Sequence, residues 1–278
     1  QAYFFKFSGW YGGQAFADFH SRHFNVNDLG FMERPGILRV GAHAYAQRQK
    51  PWLLARRSGY NINTWARWNE DGINLVKGLN INNWNQLKFY GFAGWGLSHE
   101  WEAKDDLETR GGPVMVAPGS WWGWFNIGSD ESKTLSASFN LNWALRELDR
   151  GYRRNYGLNF GFRPSPNVEL SIRPGIGRDK NNAQWVTNVD EDGDGTNDRF
   201  LFGELISRTF DLSMRAHVGF TPNLTLQAYL QPFIAVGDYG AIKELARPES
   251  YEFVPYTRLD LISNPDFSRR SLRGNIVI

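Results

Sequence analysis

Apolar and polar residues alternate with a period of two along much of this chain. From Leu135 to Leu145 the odd positions are apolar, and most even positions are Ser or Asn. The same alternation recurs over 155–162 and 209–220, and it is typical of β-strands whose two faces meet different surroundings. Including both chain ends, it predicts about a dozen strands and no helix. Further segments of this character lie near 36–48, 53–68, 72–82, 85–102, 113–127, 167–178 and 224–240.

Connectors rich in Gly, Pro, Asn and Asp predict tight hairpin turns between many of these strands. Such connectors stand at 69–72, 128–132, 148–151, 164–167 and 221–223. Three longer connections, rich in Pro, Asn, Asp and charge, are expected near 21–35, 179–198 and 241–271. If the strands run alternately up and down, these three loops open on the same side, as in outer-membrane barrels.

Strand length and the make-up of the polar face separate a membrane barrel from a soluble β-sandwich. Sandwich strands are usually about 5 to 6 residues long, whereas several segments here exceed the roughly 9 to 11 residues that cross a bilayer obliquely. The polar face carries Asn, Ser, Gly, Gln and Arg rather than Lys and Glu. We therefore predict an all-β fold, an antiparallel transmembrane β-barrel of the outer-membrane type. It forms one domain over 1–278 that is incomplete at both ends.

Composition narrows the functional classes. The chain has 31 Lys and Arg against 29 Asp and Glu, a net charge of +2, and this balance argues against nucleic acid as a partner. The absence of Cys excludes disulfides, thiolate metal sites and cysteine nucleophiles. The 29 Gly, 12 Trp, 11 Tyr and 20 Phe fit a barrel, in which only alternate residues meet lipid. The chain also lacks the short motifs of serine hydrolases, P-loop proteins and zinc proteases, so we expect no enzyme.

The segment 190–198 resembles a calcium-binding loop. Oxygen-bearing side chains stand at loop positions one, three, five and nine, and Gly195 stands at position six, where such loops turn sharply. Position twelve is Leu201 rather than the usual Glu, and an acidic turn that binds no metal is the alternative. A bound calcium ion would order the loop rather than take part in catalysis. The candidate ligands are the side chains of Asp190, Asp192, Asp194 and Asp198 and the carbonyl oxygen of Thr196.

A tryptophan cluster offers a second candidate site. In a strand, Trp122 and Trp124 fall on one face and Trp121 on the other. Such a cluster is typical of a platform that stacks on sugar rings, and equally of an aromatic girdle at the membrane interface, which we favour. Arginines in the strands would bind anionic groups or sugar hydroxyls if they line a lumen, or form ladders with acidic neighbours. They are Arg39, Arg67, Arg173, Arg208 and Arg215.

Four ordered motifs carry a resemblance to a known family. The first is NVNDLGFM at 25–32, and the second is TRGGP at 109–113. The third is FTPNLTLQ at 220–227 with QPF at 231–233. The fourth is NPDF at 264–267, which leads to SLRGN at 271–275. The chain resembles an outer-membrane barrel domain of unknown function that follows a family-9 carbohydrate-binding-like module in Gram-negative envelope proteins. The resemblance spans about 25 to 275.

The resemblance implies a barrel in the outer membrane of a Gram-negative bacterium, with lipid as its surroundings and envelope proteins or glycans as partners. It carries over no catalytic residues. The leading hypothesis is envelope transport or uptake linked to carbohydrate recognition. Two alternatives stay open, a structural or scaffolding barrel subunit of an outer-membrane complex and a soluble Trp-rich carbohydrate-binding β-protein.

Overall fold

The computed structural model describes residues 2–24, 32, 34–148 and 150–278. Strands dominate this part of the chain, as the alternation predicts, and the described residues contain one short 3-10 turn, Leu259–Leu261, and no α-helix. The strands are β1 (Ala2–Lys6), β2 (Tyr11–His20), β3 (Ile37–Arg48), β4 (Ala55–Asn69), β5 (Asn74–Leu87), β6 (Phe92–Glu100), β7 (Ala103–Asp105), β8 (Met115–Ala117), β9 (Ser120–Gly128), β10 (Leu135–Arg146), β11 (Gly151–Ser165), β12 (Val168–Val189), β13 (Arg199–Thr221), β14 (Leu224–Leu245), β15 (Phe253–Pro255) and β16 (Phe267–Val277).

Fourteen of these strands form one antiparallel sheet in chain order, interrupted only where the small β7–β8 hairpin leaves it. Both β15 and β16 pair with β14, at opposite ends of that long strand. Among the described residues, β1 pairs only with β2 and β16 pairs only with β14, so each has one edge without a partner strand. The all-β antiparallel prediction is confirmed. No helix in the described part of the chain is long and apolar enough to cross a membrane.

The register sorts the sheet into two chemically distinct faces. Directly paired residues point to the same side, and Asn63 lies opposite Asn80, which lies opposite Ser98. We call the side of this row the polar face. Asn80 is 6% exposed and Ser98 is 1% exposed, so the polar groups of this row are shielded from solvent.

The other side, here called the apolar face, is exposed. Ile62 lies opposite Ile81, which lies opposite Leu97, and all three are exposed. Trp95 on the same face is 42% exposed. A soluble protein buries its apolar residues and exposes its polar ones. In this part of the sheet the distribution is reversed.

The longest strands extend beyond the exposed apolar region. β12, β13 and β14 have 22, 23 and 22 residues, about 75 Å of extended chain each. Near the start of β13, Leu201 and Phe202 point to opposite sides of the sheet, and both are 0% exposed. Phe202 packs with Met115 of β8 and Ala183 of β12. Both faces are therefore covered at this end of the sheet.

The connections at this end differ from those predicted. The loop expected at 179–198 is reduced to 190–198, because 179–189 forms the end of β12 and pairs with β13 through bulges. The segment predicted as a loop at 241–271 includes the end of β14, β15 and the start of β16. Most of the loop at 21–35 lies outside the described residues. These three connections leave the sheet at one end, here called the long-loop rim.

A long connection at the same rim was not predicted. Residues 101–119, here called the cap segment, contain the β7–β8 hairpin. The Asp106 carboxylate accepts from Asn69 at 2.8 Å, and the Asn188 side chain donates to the carbonyl oxygen of Thr109 at 2.9 Å. Asn69 ends β4, and Asn188 lies in β12, six strand positions away in the sheet.

These contacts require a curved sheet. Six strand spacings in a flat sheet would separate β4 from β12 by about 29 Å. Asp106 and Thr109 are three residues apart, so their Cα atoms are at most about 11 Å from each other. The sheet therefore curls until the rim ends of β4 and β12 come within reach of one short segment.

Candidate functional site

An asparagine network occupies the polar face between β3 and β6. Asn63 donates to Asn80 at 2.8 Å and to Asn61 at 3.0 Å. Asn82 donates to Asn61 at 2.7 Å and also to Asn80. Asn61 and Asn80 each accept two of these bonds. The four amides form one connected network, which keeps their side chains in fixed orientations.

The network continues onto the strands on either side. Asn80 donates to the hydroxyl of Ser98 on β6 at 2.7 Å. On β3, Nδ1 of His43 lies 2.6 Å from Oδ1 of Asn63. These contacts make a neutral surface of amides, a hydroxyl and an imidazole that runs across four strands.

Indole rings border this surface. Trp122 and Trp124 share the polar face, because they pair with Ser98 and Gly96. The Trp65 ring on β4 lies 6.5 Å from the Trp122 ring, centroid to centroid, at 45°. Trp121 lies on the apolar face, 4.3 Å from the His99 ring. Of the three predicted tryptophans, only Trp121 therefore lies on the exposed apolar face.

Gly96 allows an indole and an amide to lie close against the strand. A Cβ at this position would stand 2.3 Å from Nε1 of Trp124 and 2.3 Å from Oδ1 of Asn82. Those distances are far shorter than atomic contacts allow. A glycine here therefore brings the aromatic border and the amide network together.

A cavity of about 390 Å³ adjoins the network towards the long-loop rim. Arg39 and Arg67 face each other across β3 and β4 in its wall, and Phe16, Trp65 and Glu100 also line it. The cavity places two guanidinium groups and aromatic rings beside the neutral amides. Such a mixture suits a ligand with hydroxyl groups and apolar ring faces.

The predicted arginines do not all share this side of the sheet. Arg39 and Arg67 belong to the polar face, as do Arg173 and Arg215, which pair with Ser213 and Ser171. Arg208 lies on the apolar face, so it does not share a surface with the other four predicted arginines. Arg208 pairs with Arg178. Successive residues of a strand point to opposite faces, and Arg208 lies an odd number of residues from Arg215, so the two side chains fall on opposite sides of the sheet.

Three of the predicted calcium ligands converge in the 190–198 loop. A carboxylate oxygen from each of Asp190, Asp192 and Asp194 lies within 4.8 Å of the others. The Asp190 carboxylate accepts from the backbone N–H groups of Gly193 and Gly195, each at 2.7 Å. These backbone donors, Gly195 above all, hold the pKa of Asp190 below its usual range.

The remaining two predicted ligands are placed differently. Asp198 accepts from the backbone N–H of Glu191 at 3.1 Å, and the Thr196 N–H donates to Asp194 at 2.7 Å. Gly193 and Gly195 have φ angles of 77° and 90°, a region that favours glycine. The loop thus groups three carboxylates, while Asp198 closes its base.

The asparagine network was missed by the sequence analysis. Its signal was the repetition of Asn at every second position, Asn61 and Asn63 on one strand and Asn80 and Asn82 on the next. Alternation alone assigned these residues to a polar face, but it gave no register between strands. The direct pairing of Asn63 with Asn80 depends on that register.

Comparison with known proteins identifies a family. Residues 1–268 match a family described as a domain of unknown function, DUF5916. No curated protein and no solved structure matches the chain. The match agrees with the resemblance to a domain of unknown function, and it carries no information on a carbohydrate-binding module or on the outer membrane. It extends from β1 into β16, and the chain therefore belongs to the DUF5916 family.

Proposed function

We propose that the chain is an integral outer-membrane β-barrel protein that takes part in the uptake or transport of saccharides across the envelope. The observation that carries this proposal is the reversed distribution of side chains, with apolar residues exposed on one face and an ordered polar network on the other. Lipid would cover the exposed apolar residues at no cost in hydrophobic free energy. Water and solute would meet the polar face.

The curvature of the sheet supports the barrel. The contacts of the cap segment with Asn69 and Asn188 bring distant strands together at the long-loop rim. In a bilayer every backbone N–H and C=O group needs a partner. The free edges of β1 and β16 would therefore pair with each other or with additional strands.

The aromatic and amide groups of the polar face support a saccharide as the solute. Sugar rings present C–H faces that stack on indoles, and hydroxyl groups that exchange hydrogen bonds with amides. Trp124 and Asn82 meet at Gly96, so one ring of a saccharide would reach both groups. The neutral network also imposes no charge on the solute.

Membrane extraction followed by gel mobility tests the barrel. The protein is extracted from the outer-membrane fraction in mild detergent and run with and without boiling. We expect a heat-dependent shift, because closed barrels resist SDS until heated. Recovery in the aqueous fraction with no shift would contradict the membrane assignment and favour the soluble carbohydrate-binding alternative.

Planar-bilayer conductance tests the solute. We expect ion conductance that a neutral glucose oligomer reduces. In Trp124→Ala the oligomer should bind about 2- to 10-fold more weakly, the loss expected of one stacking contact. Trp121→Ala, on the apolar face, is the matched control and should leave blockade unchanged. Conductance that the oligomer does not alter would contradict saccharide uptake.

One observation favours the scaffolding alternative. The cap segment is held at both sides of the rim and packs Met115, 1% exposed, against the β12–β14 extension. A segment fixed across the rim would narrow or close a lumen. A heat-modifiable protein that conducts no ions would support this second function.

We also propose that the 190–198 loop binds calcium through Asp190, Asp192 and Asp194. Three converging carboxylates provide the hard oxygen ligands that calcium prefers, and the ion would fix the loop at the rim. This role is structural.

A further inference from the structure

Three arginines form one cross-strand row on the apolar face. Arg154 on β11 lies directly opposite Arg178 on β12, and Arg178 lies directly opposite Arg208 on β13. All three are exposed. Neighbouring strands are about 4.8 Å apart, so the row concentrates three positive charges within about 10 Å.

The row is not neutralised by the described part of the protein. None of these arginines forms an ion pair with a described carboxylate, whereas on the polar face Arg146 and Arg153 both bind Asp179, at 2.7 and 2.6 Å. Like charges placed directly opposite each other destabilise a sheet. The row therefore has a free-energy cost that a bound anion would relieve.

Two acidic residues on the apolar face lie nearby. Glu204 forms an ion pair with Lys180 at 3.0 Å. Asp238 on β14 pairs with Ile206 on β13. Ile206 lies two positions from Arg208 along β13, so Asp238 is a diagonal neighbour of Arg208. Two carboxylates, one of them already engaged by a lysine, do not balance three guanidinium groups.

An aromatic ring holds two of the arginines in place. The Tyr152 ring lies 5.0 Å from the Arg154 guanidinium and 5.9 Å from that of Arg178. These contacts reduce the conformational freedom that the side chains would lose on binding an anion.

The row borders the exposed apolar surface. The next row of the same face, two residues along each strand, consists of Tyr156, Ile176 and Phe210, which are 40%, 57% and 39% exposed. On β11 exposed apolar side chains continue to Phe162, about 27 Å along the strand from Arg154. Positive charge therefore lies at the boundary of a surface about as tall as the lipid-facing band of a barrel.

We propose that this arginine row binds the phosphate groups of an anionic membrane lipid, with the acyl chains against Tyr156, Ile176 and Phe210. Guanidinium groups bind phosphate oxygens bidentately, and the spacing lets adjacent arginines share one headgroup. A lipid is favoured over a soluble phosphate because it satisfies both rows at once. This inference rests on the proposed membrane location of the chain.

The test measures lipid binding to the full chain in neutral detergent micelles. The probes are phosphatidylglycerol, phosphatidylcholine and inorganic phosphate. In the triple variant Arg154→Gln, Arg178→Gln, Arg208→Gln, the dissociation constant for phosphatidylglycerol should rise on the order of 100-fold. This estimate follows because each arginine contributes about a factor of five to the affinity for an anionic lipid. The triple variant with Lys at the same positions should recover part of the affinity, because it restores charge without the bidentate geometry.

The matched control removes the same charge from the polar face, in the triple variant Arg173→Gln, Arg215→Gln, Arg273→Gln. Arg273 on β16 belongs to this face because it pairs with Gln231 on β14, two positions from Tyr229, which pairs with Arg215. We expect it to bind phosphatidylglycerol like the unmodified chain. Three results would each overturn the proposal. The first is equal affinity of the unmodified chain for the two lipids, and the second is an equal loss of affinity in both glutamine variants. The third is competition by millimolar inorganic phosphate as strong as competition by the lipid. Heat-modifiable mobility, measured on every variant, reports folding separately. A chain that stays in the aqueous phase would refute the membrane location itself, whereas an inserted chain without lipid preference would refute only this inference.

Discussion

At the scale of single residues, the amides of the polar face hold one another in place around the buried Asn80. Asn80 accepts from Asn63 at 2.8 Å and donates to Ser98 at 2.7 Å. Replacing Asn80 leaves the buried hydroxyl of Ser98 without this donor, and an unsatisfied buried group costs more than the lost bond itself. The contribution of each amide therefore depends on its neighbours.

We predict that Asn80→Ala lowers the free energy of unfolding by about 1–3 kcal/mol. The measurement is a urea titration of the detergent-solubilised protein. Asn140→Ala is the control, because Asn140 is exposed on the same face, and it should change stability by less than about 0.5 kcal/mol. Equal effects of the two substitutions would show that the network has no special stabilising role.

Calcium should protect the 190–198 loop from proteolysis. Three carboxylates repel one another without a cation, and an ion bound among them would tie the loop together. We expect slower cleavage in millimolar calcium than in chelator, and loss of this protection in Asp190→Asn. Asp130→Asn is the control, since Asp130 organises a different exposed turn by accepting from Ser132 at 2.9 Å. Identical cleavage rates with calcium and with chelator would refute the metal site.

The chemical type of the site residues could be read from the sequence, but their grouping could not. Alternation assigned Trp122 and Trp124 to one side of their strand. It could not place Asn82 beside Trp124, because this contact depends on the register of β5, β6 and β9. Register is fixed by pairing along whole strands and by turns, and no short motif encodes it.

At the scale of elements, the cap segment is held by an ion pair. The Arg34 guanidinium binds the Asp106 carboxylate through two contacts of 2.7 and 2.9 Å. This hydrogen bonding, with a further bond from Asn69, holds the pKa of Asp106 below its usual range. The stabilisation is therefore present above the ordinary pKa of an aspartate, and it is lost as the pH falls through the lowered pKa of the folded state.

Acid should release the cap segment, and Asp106→Asn should release it at neutral pH. The native sequence has no Cys, so a probe on Leu107→Cys labels the segment alone. We expect the mobility of the probe to rise as the pH falls below the usual aspartate range. In Asp106→Asn the mobility should no longer depend on pH in this range. Glu102→Gln is the control, because Glu102 is an exposed residue of the same segment that forms no ion pair within the described part of the chain. A pH profile that persists in Asp106→Asn would contradict the assignment.

Most strands could be predicted as elements, and the exceptions share a cause. Residues 179–189 include Asp179, Lys180, Asn181 and Gln184 and lack alternation, so they were predicted as a loop. They form the end of β12, where both faces are covered and bulges shift the register. Alternation reports a difference between two faces, and it disappears where the faces have similar surroundings.

At the scale of the whole molecule, the reversed distribution of side chains distinguishes a membrane environment from water. Leu158 and Asn159 are neighbours on β11 and point to opposite faces, and Leu158 is 41% exposed. In water, an exposed leucine tolerates replacement by a charged residue. In lipid, an arginine near the middle of the bilayer costs about 2–4 kcal/mol.

We therefore predict that Leu158→Arg reduces insertion into lipid vesicles about 30- to 1000-fold at equilibrium, the free-energy cost of that burial. Asn159→Arg adds the same charge one residue away, on the polar face, and should insert like the unmodified chain. The measurement is the fraction of protein that floats with vesicles after refolding from urea. If both variants float equally, or if Leu158→Arg improves recovery in the aqueous phase, the apolar face does not meet lipid. The pair separates the two environments, because both substitutions add the same charge at neighbouring positions of β11 and place it on opposite sides of the sheet. Asn159→Arg also removes the hydrogen bond that Asn159 accepts from Arg173 at 2.9 Å, so heat-modifiable mobility is measured on both variants to report folding separately.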